Sequence, residues 1–227
     1  MNNNKILVPV LTIDGPSGSG KGTISKRLAE HLGWHYLDSG ALYRALGIAA
    51  LNEGIDIDDA VKLVELVSKI DLEFKPVKDN GWSVCLDGEE IQQQLGTEEL
   101  GKIASKIAVF PTVRDSLLQK QHDFMQPPGL IADGRDMGSV VFPHSKNKVY
   151  LTASASERGK RRYKQLIEKG INAKLSDVIQ DIERRDARDK QRSSAPLVVP
   201  ESACVIDSTN KSVEEVIQII LNFLNTK

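Results

Sequence analysis

The sequence predicts an α/β fold, a parallel-sheet core flanked by helices, with a small β-rich insert and an arginine-rich cover segment. Three observations predict it. Short apolar runs alternate with amphipathic helical stretches, as in strand–helix–strand units. A glycine-rich loop follows the first apolar run and opens a helix. Helical periodicity gives way to strand-like runs between Asp71 and Glu90 and then returns.

The elements follow in order. Ile6 to Ile13 is the first apolar run, and because Pro9 lacks an N–H the strand proper is expected from Val10 to Ile13. A helix is expected from about Gly22 to Leu32, then a short strand over Trp34 to Leu37. Asp38-Ser39 is a cap for the helix carrying Leu42, Leu46 and Ile48. Asp58 and Asp59 start another helix, with Val61, Val64, Val67 and Ile70 as its expected apolar face. Leu72–Lys75 and Trp82–Leu86 read as short strands joined by an Asp79-Asn80-Gly81 turn. Helices are expected across Glu98–Val109 and again after Pro111. Leu130-Ile131-Ala132 reads as a buried strand ending at Asp133-Gly134, and Lys148–Leu151 as another. Val205-Ile206 ends in Asp207, and Ser212-Val213-Glu214-Glu215 is a capping box for a last helix burying Val216, Ile219, Ile220 and Phe223.

Composition narrows the class. The formal net charge is -1, so no global field points to nucleic acid or an anionic membrane. Cys85 and Cys204 form no metal-ligand spacing and read as half-buried thiols of a reducing cytosol. The first residues have no signal-peptide pattern, and no apolar run approaches a membrane span. His31, His35, His122 and His144 show no pairing spacing. A cytoplasmic enzyme is the expectation.

The strongest signal is Gly15-Pro16-Ser17-Gly18-Ser19-Gly20-Lys21-Gly22-Thr23, between a strand and a helix. That is the context a P-loop requires. Glycines let successive backbone N–H groups converge on an anion, and the helix N-terminus adds partial positive charge. Lys21, expected to be an exposed loop lysine, can neutralise charge on the β- and γ-phosphates. The motif departs from its usual form at Gly22, where Ser or Thr is normal, so Mg²⁺ is expected to be held through water, with Asp133 at a strand end as helper.

A P-loop leaves GTPase, motor and kinase open. Asn210-Lys211-Ser212-Val213 lacks the aspartate of a guanine motif, and no aspartate is followed by glycine three residues on. No long apolar strand ends in Asp-Glu. A kinase of a small acceptor must gather two anionic substrates and exclude water, which needs cations from several directions and a mobile cover. Residues 157–192 carry twelve basic against seven acidic residues, with Arg158, Arg161, Arg162, Arg184, Arg185, Arg188 and Arg192 among them. Arg158 and Arg162 share one helical face, and Arg185, Arg188 and Arg192 a second. Arginine grips phosphate bidentately where lysine acts as a point charge. A solvated, ion-paired helix is the alternative for this stretch taken alone.

Four motifs then resemble a known family, the bacterial cytidylate (CMP/dCMP) kinases, and the resemblance runs essentially end to end. They are Ile13-Asp14-Gly15-Pro16-Ser17-Gly18, Leu37-Asp38-Ser39-Gly40-Ala41-Leu42-Tyr43-Arg44, Ile131-Ala132-Asp133-Gly134-Arg135-Asp136-Met137-Gly138 and Arg185-Asp186-Ala187-Arg188-Asp189. The resemblance implies a P-loop kinase fold in one domain over 1–227. Its core would cover about 1–40, 107–156 and 193–227, its NMP-binding region about 41–106 and its lid about 157–192. It implies transfer of phosphoryl from ATP to CMP or dCMP with Mg²⁺. It matches Ser39, Arg44, Arg135 and Arg192 to the CMP phosphate, Arg185 and Asp189 to the sugar, and Ser105, Arg114 and Asp136 to cytosine. Gly15 to Thr23, Arg158 and Arg162 fall on the ATP side, with Lys21, Arg135, Arg162 and Arg188 as the catalytic cations. Asp136 can accept from cytosine N4 while Arg114 donates to N3 or O2, a pattern uracil reverses. No general base is required, because the acceptor phosphate is already an anion. A monomer acting on small molecules, without nucleic acid or membrane, is expected. Other readings are a P-loop kinase of UMP, AMP or a hydroxy acid, and a nucleic-acid-binding module on 157–192, which lacks aromatic interleaving.

Overall fold

The computed structural model describes residues 8–77, 81–168, 170–192 and 194–226. Its strands form a five-stranded sheet in the order β2-β6-β1-β7-β8 and a three-stranded sheet in the order β3-β4-β5, with ranges given below. The chain divides into two compact units, one of Met1–Pro9 and Ala29–Ala132, the other of Val10–Leu28 and Asp133–Lys227.

In the second unit, β1 (Val10–Asp14) begins where Pro9 ends, as the missing N–H requires. α1 (Lys21–Leu32) opens directly from the glycine-rich loop. β1 pairs in parallel with β7 (Asn147–Thr152), and β7 with β8 (Cys204–Asp207). Asp14 is in register with Tyr150, and Thr152 with Asp207, so these strands present their carboxyl ends together. That end is where open α/β sheets bind ligands. α6 (Ala155–Glu168) and α7 (Leu175–Gln191) form a pair packed through Leu166, Val178 and Ile182. α8 (Val213–Asn225) starts at the predicted capping box: Ser212 Oγ accepts from the Glu215 N–H, and the Glu215 carboxylate accepts from the Ser212 N–H. Val216 and Ile220 are its buried residues, while Ile219 and Phe223 are only half-buried.

The first unit holds β2 (His35–Asp38) and α2 (Ser39–Asn52), whose N-cap Asp38 accepts from the Ala41 N–H at 3.0 Å. α2 is buried on most sides, including Leu42, Leu46 and Ile48. It packs against α3 (Ala60–Lys69) and α4 (Glu98–Ile107), and a Cβ on Gly47 would lie 2.8 Å from Ile103, so the glycine permits close approach. The expected face of α3 is corrected. Its buried stripe is Leu63, Leu66 and Val67, continued by Ile70 after the helix, while Val61 is 71% exposed. Asp59 caps the helix, which sets Val61 in the first turn on the outer side.

β3 (Leu72–Val77) and β4 (Gly81–Leu86) pair antiparallel as expected, and β4 also carries β5 (Glu89–Glu90), too short to register as a sequence pattern. Asp79 and Asn80 of the expected turn lie outside the described residues; Gly81 has φ +72, which glycine tolerates. Tyr36, Phe74, Trp82 and Phe124 form an aromatic chain with centroids 5.3 to 5.9 Å apart. α5 (Pro111–Asp123) starts with proline at its first position, and β6 (Leu130–Gly134) follows the Pro127-Pro128-Gly129 break.

Candidate active site

The phosphate loop is shaped by its surroundings. A Cβ on Gly15 would lie 2.0 Å from the Leu151 carbonyl oxygen, and one on Gly18 would lie 3.2 Å from Arg158 Cβ. Both glycines have positive φ, 152° and 77°. The sequence thus requires glycine there for close approach as well as for conformation. Lys21 is buried, not exposed as expected, and its Nζ donates to the Pro16 carbonyl at 2.9 Å. It is an integral bracing group of the loop it serves.

Two carboxylates stand at the strand ends beside it. Asp14 is fully buried and accepts from the backbone N–H groups of Met137 at 2.8 Å and Gly138 at 2.7 Å. Burial pushes its carboxyl up from 3.8 to about 6; the two amides and Lys21 pull it down, and Asp136 adds to the rise. The turn it holds, Met137–Val141, is a π-helical turn, of the kind that often marks functional sites. A Cβ on Gly138 would lie 2.8 Å from Thr12 Oγ1. Asp136, the expected cytosine reader, is buried immediately before this turn. Asp133 is buried too, with Oδ2 3.5 Å from where a Gly22 Cβ would be. Tyr150 lies in register with Asp14, and its phenol is pushed up by burial and by Asp186.

The arginine-rich segment forms α6 and α7, and most of its arginines are paired. Arg135 Nε donates to Asp189 Oδ2 at 2.9 Å, and Arg192 Nη2 to Asp189 Oδ1 at 2.7 Å. Burial raises the Asp189 carboxyl, but Arg135 and Arg192 outweigh it and hold the group below its usual range. Arg135, Asp189 and Arg192 are thus brought together. Arg158 is buried and donates to Ala153 O at 2.9 Å, Ser17 O at 3.0 Å and Asp186 Oδ2 at 2.7 Å. Arg162 donates to Gln165 Oε1 at 3.5 Å. Arg185 is half-buried and contributes to the field on Asp189; Arg188 is exposed. Arg161, which no motif singled out, donates to Ser208 O at 2.7 Å and approaches Ser19 O at 3.5 Å. Its signal was only its place among the arginines.

In the other unit, Ser39 is buried in the first turn of α2. Arg44 donates to Leu95 O at 2.9 Å. Arg114 is buried, its guanidinium 5.8 Å from the Tyr43 ring centroid, with Nη1 reaching Ala108 O at 3.4 Å. Tyr43 is buried and serves as this platform. Ser105 Oγ donates to Gly101 O at 2.8 Å. Arg114 and Tyr43 are therefore brought together, and Ser39 and Arg44 share one helix.

Known proteins resemble the chain to different degrees. Among solved structures, a gluconokinase from Sinorhizobium meliloti 1021 aligns at TM-score 0.47 and 14% identity, covering 96% of this chain and 92% of that one. Curated cytidylate kinases are far more similar. That of Aeromonas salmonicida (strain A449) is 50% identical over 96% of this chain and 94% of its own length. That of Methylococcus capsulatus (strain Bath) is 50% identical over 96% and 98%. The family profile described as Cytidylate kinase matches residues 11–226, so with the glycine-rich loop, the buried carboxylates and the paired arginines in place, this chain belongs to the cytidylate kinase family.

Proposed function

We propose that the protein transfers the γ-phosphoryl group of ATP to CMP and dCMP. The observation that carries this reading is the phosphate loop with its buried Lys21 at the carboxyl ends of β1 and β7, in a chain of this family. The chemistry needs little from the protein beyond positioning and charge. Gly15 to Thr23 would wrap the ATP phosphates with backbone N–H groups while Lys21 moves from the Pro16 carbonyl to phosphate oxygen. Arg135 and Arg192, preset by Asp189, would bind the CMP phosphate, and phosphate binding is likewise the role proposed for Ser39 and Arg44 within their own unit. Arg162 and Arg188 would supply charge on the transferring group, and Arg185 with Asp189 would face the sugar. Ser105, Arg114 and Asp136 would read cytosine.

Mg²⁺ fits the residues present. Among the described residues no group of three or more His, Cys, Asp or Glu could hold a metal, but Asp133 Oδ2 stands beside the Gly22 position. One carboxylate acting through water, with the phosphates supplying the remaining oxygens, is an ordinary arrangement for this ion. When bound it would neutralise charge on the β- and γ-phosphates. A core of about 1–40, 107–156 and 193–227, an NMP-binding region of about 41–106 and a lid of about 157–192 are the working division. A reducing cytosol is the setting that two free thiols suit, and a monomer is the proposed state.

The test is a coupled ADP-release assay comparing CMP, dCMP, UMP, AMP and a hydroxy acid at equal concentrations. CMP and dCMP should give the highest kcat/KM. A higher value for any of the other acceptors would replace the cytidylate reading.

A further inference from the structure

We propose that Arg158 and Asp186 form a strut that positions the phosphate loop, and that Arg158 is a positioning residue instead of a direct ATP ligand. The inference rests on the ATP-dependent reading above but not on the identity of the acceptor.

The geometry is specific. The Arg158 guanidinium joins three separate pieces of chain. Its Nε meets Ala153 O at 2.9 Å, at the end of the connection from β7 into α6. Its Nη1 meets Ser17 O at 3.0 Å, inside the phosphate loop. Its Nη2 meets Asp186 Oδ2 at 2.7 Å, on α7. The side chain is 5% exposed and that of Asp186 15%, so this is an ion pair withdrawn from water. A buried guanidinium needs its carboxylate, and a ligand arginine that stays this enclosed has little freedom to follow a phosphate. The α6 backbone abuts the same stretch, with Arg158 O 3.4 Å from where a Gly18 Cβ would lie. The loop can therefore be displaced at Ser17-Gly18 only by breaking the Arg158 contacts.

The consequence is a link between two sets of groups. Ser17 belongs to the loop that takes the donor phosphates. Asp186 lies one turn before Asp189, which holds Arg135 and Arg192. Asp186 and Asp189 are three residues apart and share a face of α7. The helix is thus fastened to the phosphate loop through one carboxylate and to the acceptor-side arginines through the next. The register of the two sets is fixed by Arg158–Asp186.

The experiment measures binding of a non-hydrolysable ATP analogue with Mg²⁺ by titration calorimetry, for the full chain and the variants Asp186→Asn, Arg158→Lys and the double variant. A strut predicts that each single change weakens the analogue about tenfold, or about 1.4 kcal/mol, and that the double is no weaker than either single. Amide exchange at residues 17–20 should quicken in Asp186→Asn, although Asp186 lies outside the loop. Asp186→Glu, which keeps the charge, should restore at least half of the lost affinity in free-energy terms. Arg184→Ala, on an exposed pair of the same helix, should leave affinity unchanged. A direct ligand predicts otherwise. Asp186→Asn would then free Arg158 and leave binding equal or tighter, only Arg158→Lys would weaken it, and loop exchange would stay as in the wild type. That result overturns the proposal. Should Asp186→Asn fail to fold, the Asp186→Glu affinity and loop exchange decide alone: wild-type loop exchange with weakened binding would overturn it. The measurement is of nucleotide binding, so a failure of the CMP reading in the ADP-release assay would leave it standing.

Discussion

Replacing Asp14 by asparagine separates the cost of burying a charge from the benefit of the two hydrogen bonds it accepts. The carboxylate is fully buried, and its group titrates near 6 against an ordinary 3.8. At pH below 3.8 the folded and unfolded chains both hold the proton. Between 3.8 and about 6 the folded chain keeps a proton that the unfolded chain has lost, so stability from this group falls as pH rises and is gone above about 6. At about 1.4 kcal/mol per unit the full span is about 3 kcal/mol, of which about 2 kcal/mol lies between pH 4.5 and 7. The substituted asparagine does not titrate, and its amide can accept from only one of the Met137 and Gly138 N–H groups. The variant should therefore lose about 1–3 kcal/mol relative to wild type at pH 4.5 for the unpaired donor. It should recover about 2 kcal/mol of that deficit by pH 7. Urea unfolding at both values, followed by circular dichroism, gives the difference directly. Only the difference is informative, because Asp189, held below its usual range, drives total stability the opposite way, with its contribution lost as pH falls. A wild-type-to-variant gap that stays constant with pH, or widens towards neutrality, would refute the account of Asp14.

Further outcomes follow from the same geometry. Lys21→Ala should lower kcat by roughly two orders of magnitude in steady-state assays. Because Lys21 is buried against Pro16 O, it should also cost about 1 kcal/mol in unfolding, which an exposed lysine would not. Asp136→Asn should reduce the CMP-over-UMP ratio of kcat/KM by at least tenfold with the fold retained, and an unchanged ratio would move base reading elsewhere. Gly138→Ala places a methyl 2.8 Å from Thr12 Oγ1 and 3.3 Å from Asp14 Oδ2. It should destabilise by about 1–3 kcal/mol in urea unfolding and impair CMP turnover more than ATP-analogue binding.

Local signals made much of this legible from residues alone. The phosphate loop, the Asp38 cap and the Ser212 capping box are each written within a few positions, so their physics is visible in a short window. The β3–β4 pair was likewise readable from a change of period. What escaped depends on partners far away in sequence. The π-turn at Met137–Val141 is held by a carboxylate more than a hundred positions earlier, and nothing in Met-Gly-Ser-Val-Val announces it. The arginine run, a solvated face if taken alone, read as a phosphate clamp beside a P-loop. Its pairs are divided between the two: Arg184–Asp181 is local and exposed, while Arg158–Asp186 and Arg135–Asp189 are tertiary and enclosed. On α3 the spacing of three found Val67 and Ile70 but missed Leu63 and Leu66 and wrongly turned Val61 inward.

The α6–α7 pair is fastened differently at its two ends. At one end Leu166, Val178 and Ile182 exclude water; at the other Asp186 and Asp189 hold arginines. The two fastenings answer to different properties of the solvent. The apolar end tightens with excluded osmolytes and loosens on cooling, while the ionic end, enclosed as it is, is screened little by salt and depends on both charges being kept. Cold and loss of charge would therefore act at opposite ends of the same helices.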